Sequence, residues 1–218
     1  MELILLRHGE TEWSRSGQHT GRIDIPLTDA GREEAAAVAA TVHRLLDGRL
    51  PLAVYSSPLT RALETATIVL PDAQIEQRDE LMEMDYGDYE GLTRSQIQQQ
   101  RPGWDIWSDG CPKGESVEQV GDRVDRFLAS AGSLAAQASA ARASDSGDGD
   151  GQRPSVVFAH GHLIKILAAR AVGLEAADGR VFKLDTATVS MISTDRGEQV
   201  VKLWNVPAEF GPDPTSAT

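Results

Sequence analysis

Leu3 to Leu6 is a wholly apolar run only four residues long, and it leads straight into Arg7-His8-Gly9. So short a run without polar alternation predicts a strand buried on both faces, which requires a sheet covered by helices front and back. Other periodicities agree. Val38, Val42, Leu45 and Leu46 share one face of a helix that Thr28 or Asp29 can cap. Leu52 to Tyr55 predicts the next strand. Ser57-Pro58 predicts a helix start with Ser57 as N-cap, running to about Val69 before Pro71. Ile75 to Arg78 predicts a short edge strand. Leu81 to Gly114 is loop-rich, with a helix at Arg94 to Gln100. Ser116 and Gln119 form a capping box opening a helix whose Val117, Val120, Val124, Phe127 and Leu128 share a face.

From Ser139 to Pro154 the composition falls to Ala, Ser, Asp and Gly, which predicts a mobile surface loop. A strand at Ser155 to Ala159 and a helix at His162 to Val172 follow. Thr188 to Ser193 and Gln199 to Leu203 predict two last strands joined by a turn at Asp195 to Gly197. The expected fold class is α/β: a three-layer sandwich whose sheet of about six strands is mainly parallel. One domain is expected over residues 1–207, with a flexible tail at 208–218.

Composition narrows the partners. The 218 residues carry 21 Lys plus Arg against 33 Asp plus Glu, a formal charge of -12, which argues against a nucleic-acid binder. A small anionic substrate stays open, because a few convergent arginines make a local positive pocket. The single cysteine, Cys111, excludes an internal disulfide framework and reads as a packing residue. No run approaches the ~20 apolar residues of a membrane helix, and the N-terminal apolar stretch is too short for a signal peptide. No membrane partner and a cytoplasmic location are the expectations. The edge at 75–78 offers a surface for a homodimer.

In α/β sheets, ligands sit at the carboxyl ends of the strands. The first strand delivers Arg7 and His8 there, the second Ser56-Ser57 with Arg61 on the helix behind, and a later one His160-Gly161-His162. Arginine forks bind phosphoryl oxygens, and a neutral histidine nitrogen can attack phosphorus and hold it covalently. The constellation spells phosphoryl transfer through histidine, with no metal and no cofactor. Taken singly, each residue has a plainer reading: His160 as an ordinary hydrogen-bonded residue, Arg61 in a surface ion pair, Glu83 as one acid of an acidic loop. His160-x-His162 also admits a metal pair, but no carboxylate cluster adjoins it in sequence.

The segments LILLRHGETEW at 3–13, TGRIDIPLTDAGREEA at 20–35, SSPLTRALETA at 56–66, LMEMDYGDYEGLT at 81–93, GES at 114–116 and VVFAHGH at 156–162 resemble, in order, those of the histidine phosphatase superfamily, the phosphoglycerate mutase-like family. The resemblance implies roles. His8 would be the phosphorylated nucleophile, and Arg7, Arg61 and His160 would bind the phosphoryl oxygens. Glu83 would act as acid and then base. Ser14, Thr20, Gly21 and Gly161 resemble further substrate contacts, and Tyr86 would wall the pocket.

The chemistry asks for a neutral His8 whose second ring nitrogen donates to an acceptor, and for a Glu83 that starts protonated, with an acidic optimum. Only 28 residues separate Tyr86 from Glu115, and their basic members, Arg94, Arg101 and Lys113, are not adjacent, which favours a phosphatase over the alternative of a mutase. A non-catalytic module of the same fold is the third reading. The resemblance is strongest to sugar-bisphosphate and acid phosphatases, so the expected partner is a small phosphorylated metabolite. Trp104, Trp107 and Lys113 could form a lid, Lys113 meeting a second phosphate, or be plain packing residues.

Overall fold

The computed structural model describes residues 1–143 and 153–208. Six strands, β1 (Leu3–Arg7), β2 (Val54–Ser56), β3 (Ile75–Gln77), β4 (Ser155–Ala159), β5 (Val189–Asp195) and β6 (Glu198–Val206), form one sheet in the order β3-β2-β4-β1-β5-β6. The pairs β3–β2, β2–β4 and β4–β1 are parallel, and β5 and β6 add an antiparallel hairpin beside β1. The expected mainly parallel sheet is the one observed.

Alternation along β1 sorts the core into two layers. Leu3 and Leu5 pack on one face with Val120, Val124 and Phe127 of α6 (Val117–Ala143) and Leu163, Ile164 and Leu167 of α7 (Gly161–Ala171). Ile4 and Leu6 pack on the other, with Val38 and Val42 of α2 (Asp29–Leu46) and Ala66 and Val69 of α3 (Thr60–Val69). All four β1 side chains are essentially inaccessible, and burying each contributes about 1.5–3 kcal/mol. Short helices α1 (Glu12–Ser16), α4 (Arg94–Gln100) and α5 (Ile106–Asp109) lie in the connections.

Two helix boundaries differ from expectation. Ser57 does not cap α3, which starts at Thr60; the carboxylate of Asp24 caps it instead, accepting from Thr60 N at 2.9 Å and Thr60 Oγ1 at 2.6 Å. Ser57 is drawn into the site described below. At the far end of α6, residues 139–143 continue the helix rather than opening a loop, because alanine is the strongest helix former whatever its hydrophobicity. The rest of the expected loop up to residue 152, and the tail from residue 209, lie outside the described residues. Thr28 is the cap of α2, and the Ser116–Gln119 capping box is formed.

β1 and β4 are neighbours, yet the chain leaves them on opposite faces, into α2 and α7 respectively. Their carboxyl ends therefore flank a crevice that no connection crosses, the position where ligands of such sheets bind.

Candidate active site

His8 follows β1 and is 4% exposed. Its Nδ1 lies 2.7 Å from Gly9 O. A carbonyl only accepts, so Nδ1 carries the proton and Nε2 keeps its lone pair, the arrangement the chemistry asks for. Gly9 N donates in turn to Thr65 Oγ1 at 3.2 Å. A Cβ on Gly9 would fall 2.2 Å from Gly31 O, so only glycine lets the first turn of α2 seat against this loop. Burial, reinforced by the charges of Arg61 and Arg7, holds His8 well below the usual imidazole range, so it is neutral at pH 7.

His160 follows β4, fully buried, with its ring centroid 5.2 Å from that of His8. Arg61 Nε donates to its Nδ1 at 3.2 Å, which places the His160 proton on Nε2, where it reaches Ser57 Oγ at 2.8 Å. Burial and the Arg61 charge hold this ring neutral too. Arg61 is itself fully buried. Its Nη1 donates to Ile23 O at 3.2 Å, and its Nη2 to Thr20 O at 3.1 Å and Gly21 O at 2.8 Å. Arg7 differs. Its Nη1 donates to Leu184 O at 2.7 Å, but its buried Nε has no partner among the described residues.

Glu83 is 4% exposed, although its loop is acidic and polar. His160, at the N-cap of α7, makes no side-chain cap bond, leaving the first amides of that helix open. Glu83 closes them from 80 residues away in sequence: Oε2 accepts from His162 N at 3.0 Å, and Oε1 from Leu163 N at 3.0 Å and its neighbour Met84 N at 2.9 Å. Burial pushes the Glu83 carboxyl up, but the field of His162 and these three amides outweigh it and hold it below the usual carboxylate range. His162 is itself pulled down to about 4 by burial, so at neutral pH the amides carry the effect. Glu83 is thus a carboxylate in the free site rather than the protonated acid expected.

The loop that carries Glu83 is fixed from behind. Arg123 grips Glu115 with two bonds of 2.9 and 3.0 Å, and its Nη1 donates to Glu80 O at 2.7 Å and Met82 O at 2.6 Å. Glu115 also accepts from Asp85 N at 2.8 Å. On the other side Glu90 accepts from Gly21 N at 2.7 Å and Ile23 N at 3.0 Å, tying the loop to the segment that Arg61 holds.

Arg7, His8, Ser14, Thr20, Glu83, Tyr86 and Gly161 line one cavity of about 200 Å³. Arg61, His160 and Gly21 do not line it; they support it from beneath. A larger groove of about 830 Å³ lies by β3 and the C-terminal end of α2, and gathers neither strand-end histidine. The cavity wall also contains His162, which the sequence delivers to the same strand end, and His19 and Lys165, which the sequence reasoning had not placed there. Tyr86 Oη and His162 Nδ1 are 2.7 Å apart, so the rings of His160 and His162 turn to separate partners rather than to a common ion. Ser57, delivered to the strand end as expected, serves the site as the partner of His160 rather than as a helix cap.

Of the lid and packing readings, packing holds for Trp104 and the lid does not hold for Lys113. Lys113 stands on the surface, its side chain 80% exposed and 3.0 Å from Asp88, outside the cavity wall. Trp104 is a core residue, its Nε1 donating to Gly110 O at 2.9 Å. Trp107 does approach the cavity, its ring centroid 5.2 Å from that of His162. Cys111 is half-buried, with its thiol pushed up to about 12 by burial, consistent with packing.

Comparison with known proteins agrees with this geometry. An acid phosphatase of Mycobacterium tuberculosis is 39% identical over 197 residues, 89% of this chain and 87% of that protein. A sedoheptulose 1,7-bisphosphatase of Saccharomyces cerevisiae is 39% identical over 192 residues, 78% of this chain and 67% of that protein. Among solved structures, the product of a Mycobacterium tuberculosis open reading frame superposes with a TM-score of 0.80 at 34% identity, covering 95% of this chain and 98% of that one. The family model of the histidine phosphatase superfamily (branch 1) matches residues 3–207, from the first strand past the last. A match of that extent, over a site already built around a histidine with a free lone pair, carries the assignment: the chain belongs to branch 1 of the histidine phosphatase superfamily.

Proposed function

We propose that this histidine phosphatase hydrolyses small sugar phosphates or bisphosphates in the cytoplasm, without metal, through a phosphohistidine formed on His8. The observation that carries this reading is the His8 tautomer: Nδ1–H is held by Gly9 O, so Nε2 is the nucleophile. The substrate class follows from the relatives named above and from a cavity of about 200 Å³, which suits a small metabolite.

His8 Nε2 attacks phosphorus in line as the P–O bond to the sugar breaks. The Arg7 Nε donor, otherwise unpartnered, takes an equatorial oxygen, and the buried charge of Arg61 stabilises the developing anion through the His160 layer. Because Glu83 is ionised in the free site, the proton arrives with the substrate monoanion; Glu83 relays it to the leaving alkoxide. In the second step Glu83 takes a proton from water as its oxygen attacks phosphorus and the P–N bond breaks, releasing inorganic phosphate. An acidic optimum then reflects the protonation of the substrate. No described helix is long and apolar enough to cross a membrane.

The test is phosphate release with EDTA present, wild type beside His8→Ala, together with alkaline-quench trapping of labelled protein. Release that survives EDTA and is lost in His8→Ala, with an acid-labile, base-stable label, is the expected result. Loss in EDTA, or activity retained by His8→Ala, refutes the reading.

A further inference from the structure

We propose that Lys165 is the specificity residue of this site, reading a second phosphoryl group on the substrate and so directing the enzyme to sugar bisphosphates. The proposal rests on the phosphatase reading above and deepens it. α7 is apolar through most of its length: Leu163, Ile164, Ile166, Leu167, Ala168 and Ala169 are all buried in the core. Lys165 interrupts that series and lines the catalytic cavity.

Position decides what it can reach. Gly161 and Lys165 are four residues apart on α7 and so lie on one face, about 6 Å apart along the helix axis. Gly161 is the residue over which Arg7 lies: a Cβ there would fall 3.5 Å from Arg7 Cζ and Nε. Lys165 therefore stands one helical turn beyond the arginine that meets the transferred group. It is displaced along the cavity wall toward His162 and Trp107, with its Nζ 6.0 Å from the centre of the Trp107 ring. A substrate with its reacting phosphate between His8 and Arg7 extends its far end past this ammonium.

The ammonium is also uncommitted. Lys165 makes no hydrogen bond or ion pair among the described residues, whereas Lys113 is paired with Asp88 and Lys183 with Asp185. Burial and the nearby Arg7 charge pull its pKa down, while Glu83 and Asp185 oppose this more weakly. A half-buried cation crowded by another cation gains from an incoming dianion. An ammonium is a compact point charge, so its attraction grows with the charge of the anion, and a phosphate dianion gains more from it than a singly charged carboxylate.

The experiment compares kcat/KM for a hexose bisphosphate, the matching hexose monophosphate and 3-phosphoglycerate in wild type, Lys165→Gln and Lys165→Arg. Loss of one charge-assisted contact is expected to lower the bisphosphate-to-monophosphate ratio by about tenfold or more in Lys165→Gln, mainly through KM, and Lys165→Arg should restore most of it. A ratio unchanged in Lys165→Gln overturns the proposal, even if both rates fall, because a general defect in folding or in the chemical step moves both substrates alike. A larger change for 3-phosphoglycerate than for the bisphosphate also overturns it, assigning the lysine to a carboxylate. If the wild type hydrolyses nothing, the phosphatase reading fails separately. Calorimetric binding of the two sugars to His8→Ala, with and without Lys165→Gln, then decides Lys165: equal affinities overturn its role, and a selective loss for the bisphosphate supports it.

Discussion

Glu83→Gln is expected to unfold the protein more easily as well as to silence it. The wild-type carboxylate accepts three backbone amides through two oxygens. Glutamine has one acceptor oxygen, and its amide nitrogen can only donate. With its oxygen in the Oε1 position, Met84 N and Leu163 N stay satisfied and His162 N faces an NH2 group. In the flipped orientation, two amides lose their acceptor. One buried donor without a partner costs about 1–3 kcal/mol. Removing the charge from the first turn of α7 costs up to about 2 kcal/mol more in a buried geometry. A total of roughly 1–5 kcal/mol corresponds to a fall in Tm of roughly 2–20 °C for a chain of this size.

The sign with pH follows from the depressed Glu83 pKa. Its stabilisation is fully present above the unfolded carboxylate value and is lost as pH falls through the folded one. The gap between wild type and variant should therefore be full at pH 7 and should close only below the ordinary carboxylate range. Thermal and urea melts of both proteins at several pH values measure it, beside kcat, which should drop about 10²–10⁴-fold with loss of the acid–base group. A variant that loses activity yet melts with the wild type at pH 7 would refute the reasoning, since an acid on an independent surface loop behaves in that way.

Two further outcomes are expected. Ser57→Ala leaves the His160 Nε2 proton without its 2.8 Å acceptor, so stability should fall by about 1–3 kcal/mol and kcat should fall as His160 loses its orientation; unchanged melting and kcat would contradict this. His8, His160 and His162 are all held neutral by burial, so kcat/KM should show no loss with a midpoint near 6.5 between pH 7 and 5, while stability declines below about pH 6.5 by up to roughly 1.4 kcal/mol per pH unit for each ring. A rate that follows a free imidazole, measured beside denaturant midpoints at each pH, would show that the burial argument is wrong.

The strands were readable wherever burial is total. Leu3–Leu6 and Ser155–Ala159 are inaccessible on both faces, and uninterrupted apolar runs report that condition directly. Local signals also held where their partners are local, as at the Ser116–Gln119 capping box. They misled where a distant group took over. Ser57 has the chemistry of a cap, but His160, over a hundred residues later, takes its hydroxyl, and α3 is capped by Asp24. Composition misled at residues 139–143, where loss of apolar residues read as loss of helix although alanine favours helix by itself.

The nucleophile, its arginine and the second histidine were legible because they stand at strand ends. His19 and Lys165 were not, because they reach the cavity wall only when α7 packs beside the segment after α1. Lys165 did leave a trace: a single cation, four residues after Gly161, in an otherwise apolar helix. The ionisation state of Glu83 left none, since it depends on amides of a helix 80 residues away.

β4 runs from Ser155, paired with Leu3, to Ala159, paired with Arg7, so its two ends are about 13 Å apart at the usual rise per residue. The connection from α6 enters at the Ser155 end, and His160 leaves at the other. The catalytic end is therefore positioned by the register of β4 on β1, Ser155 beside Leu3 through Ala159 beside Arg7, and not by the point at which the chain enters the strand.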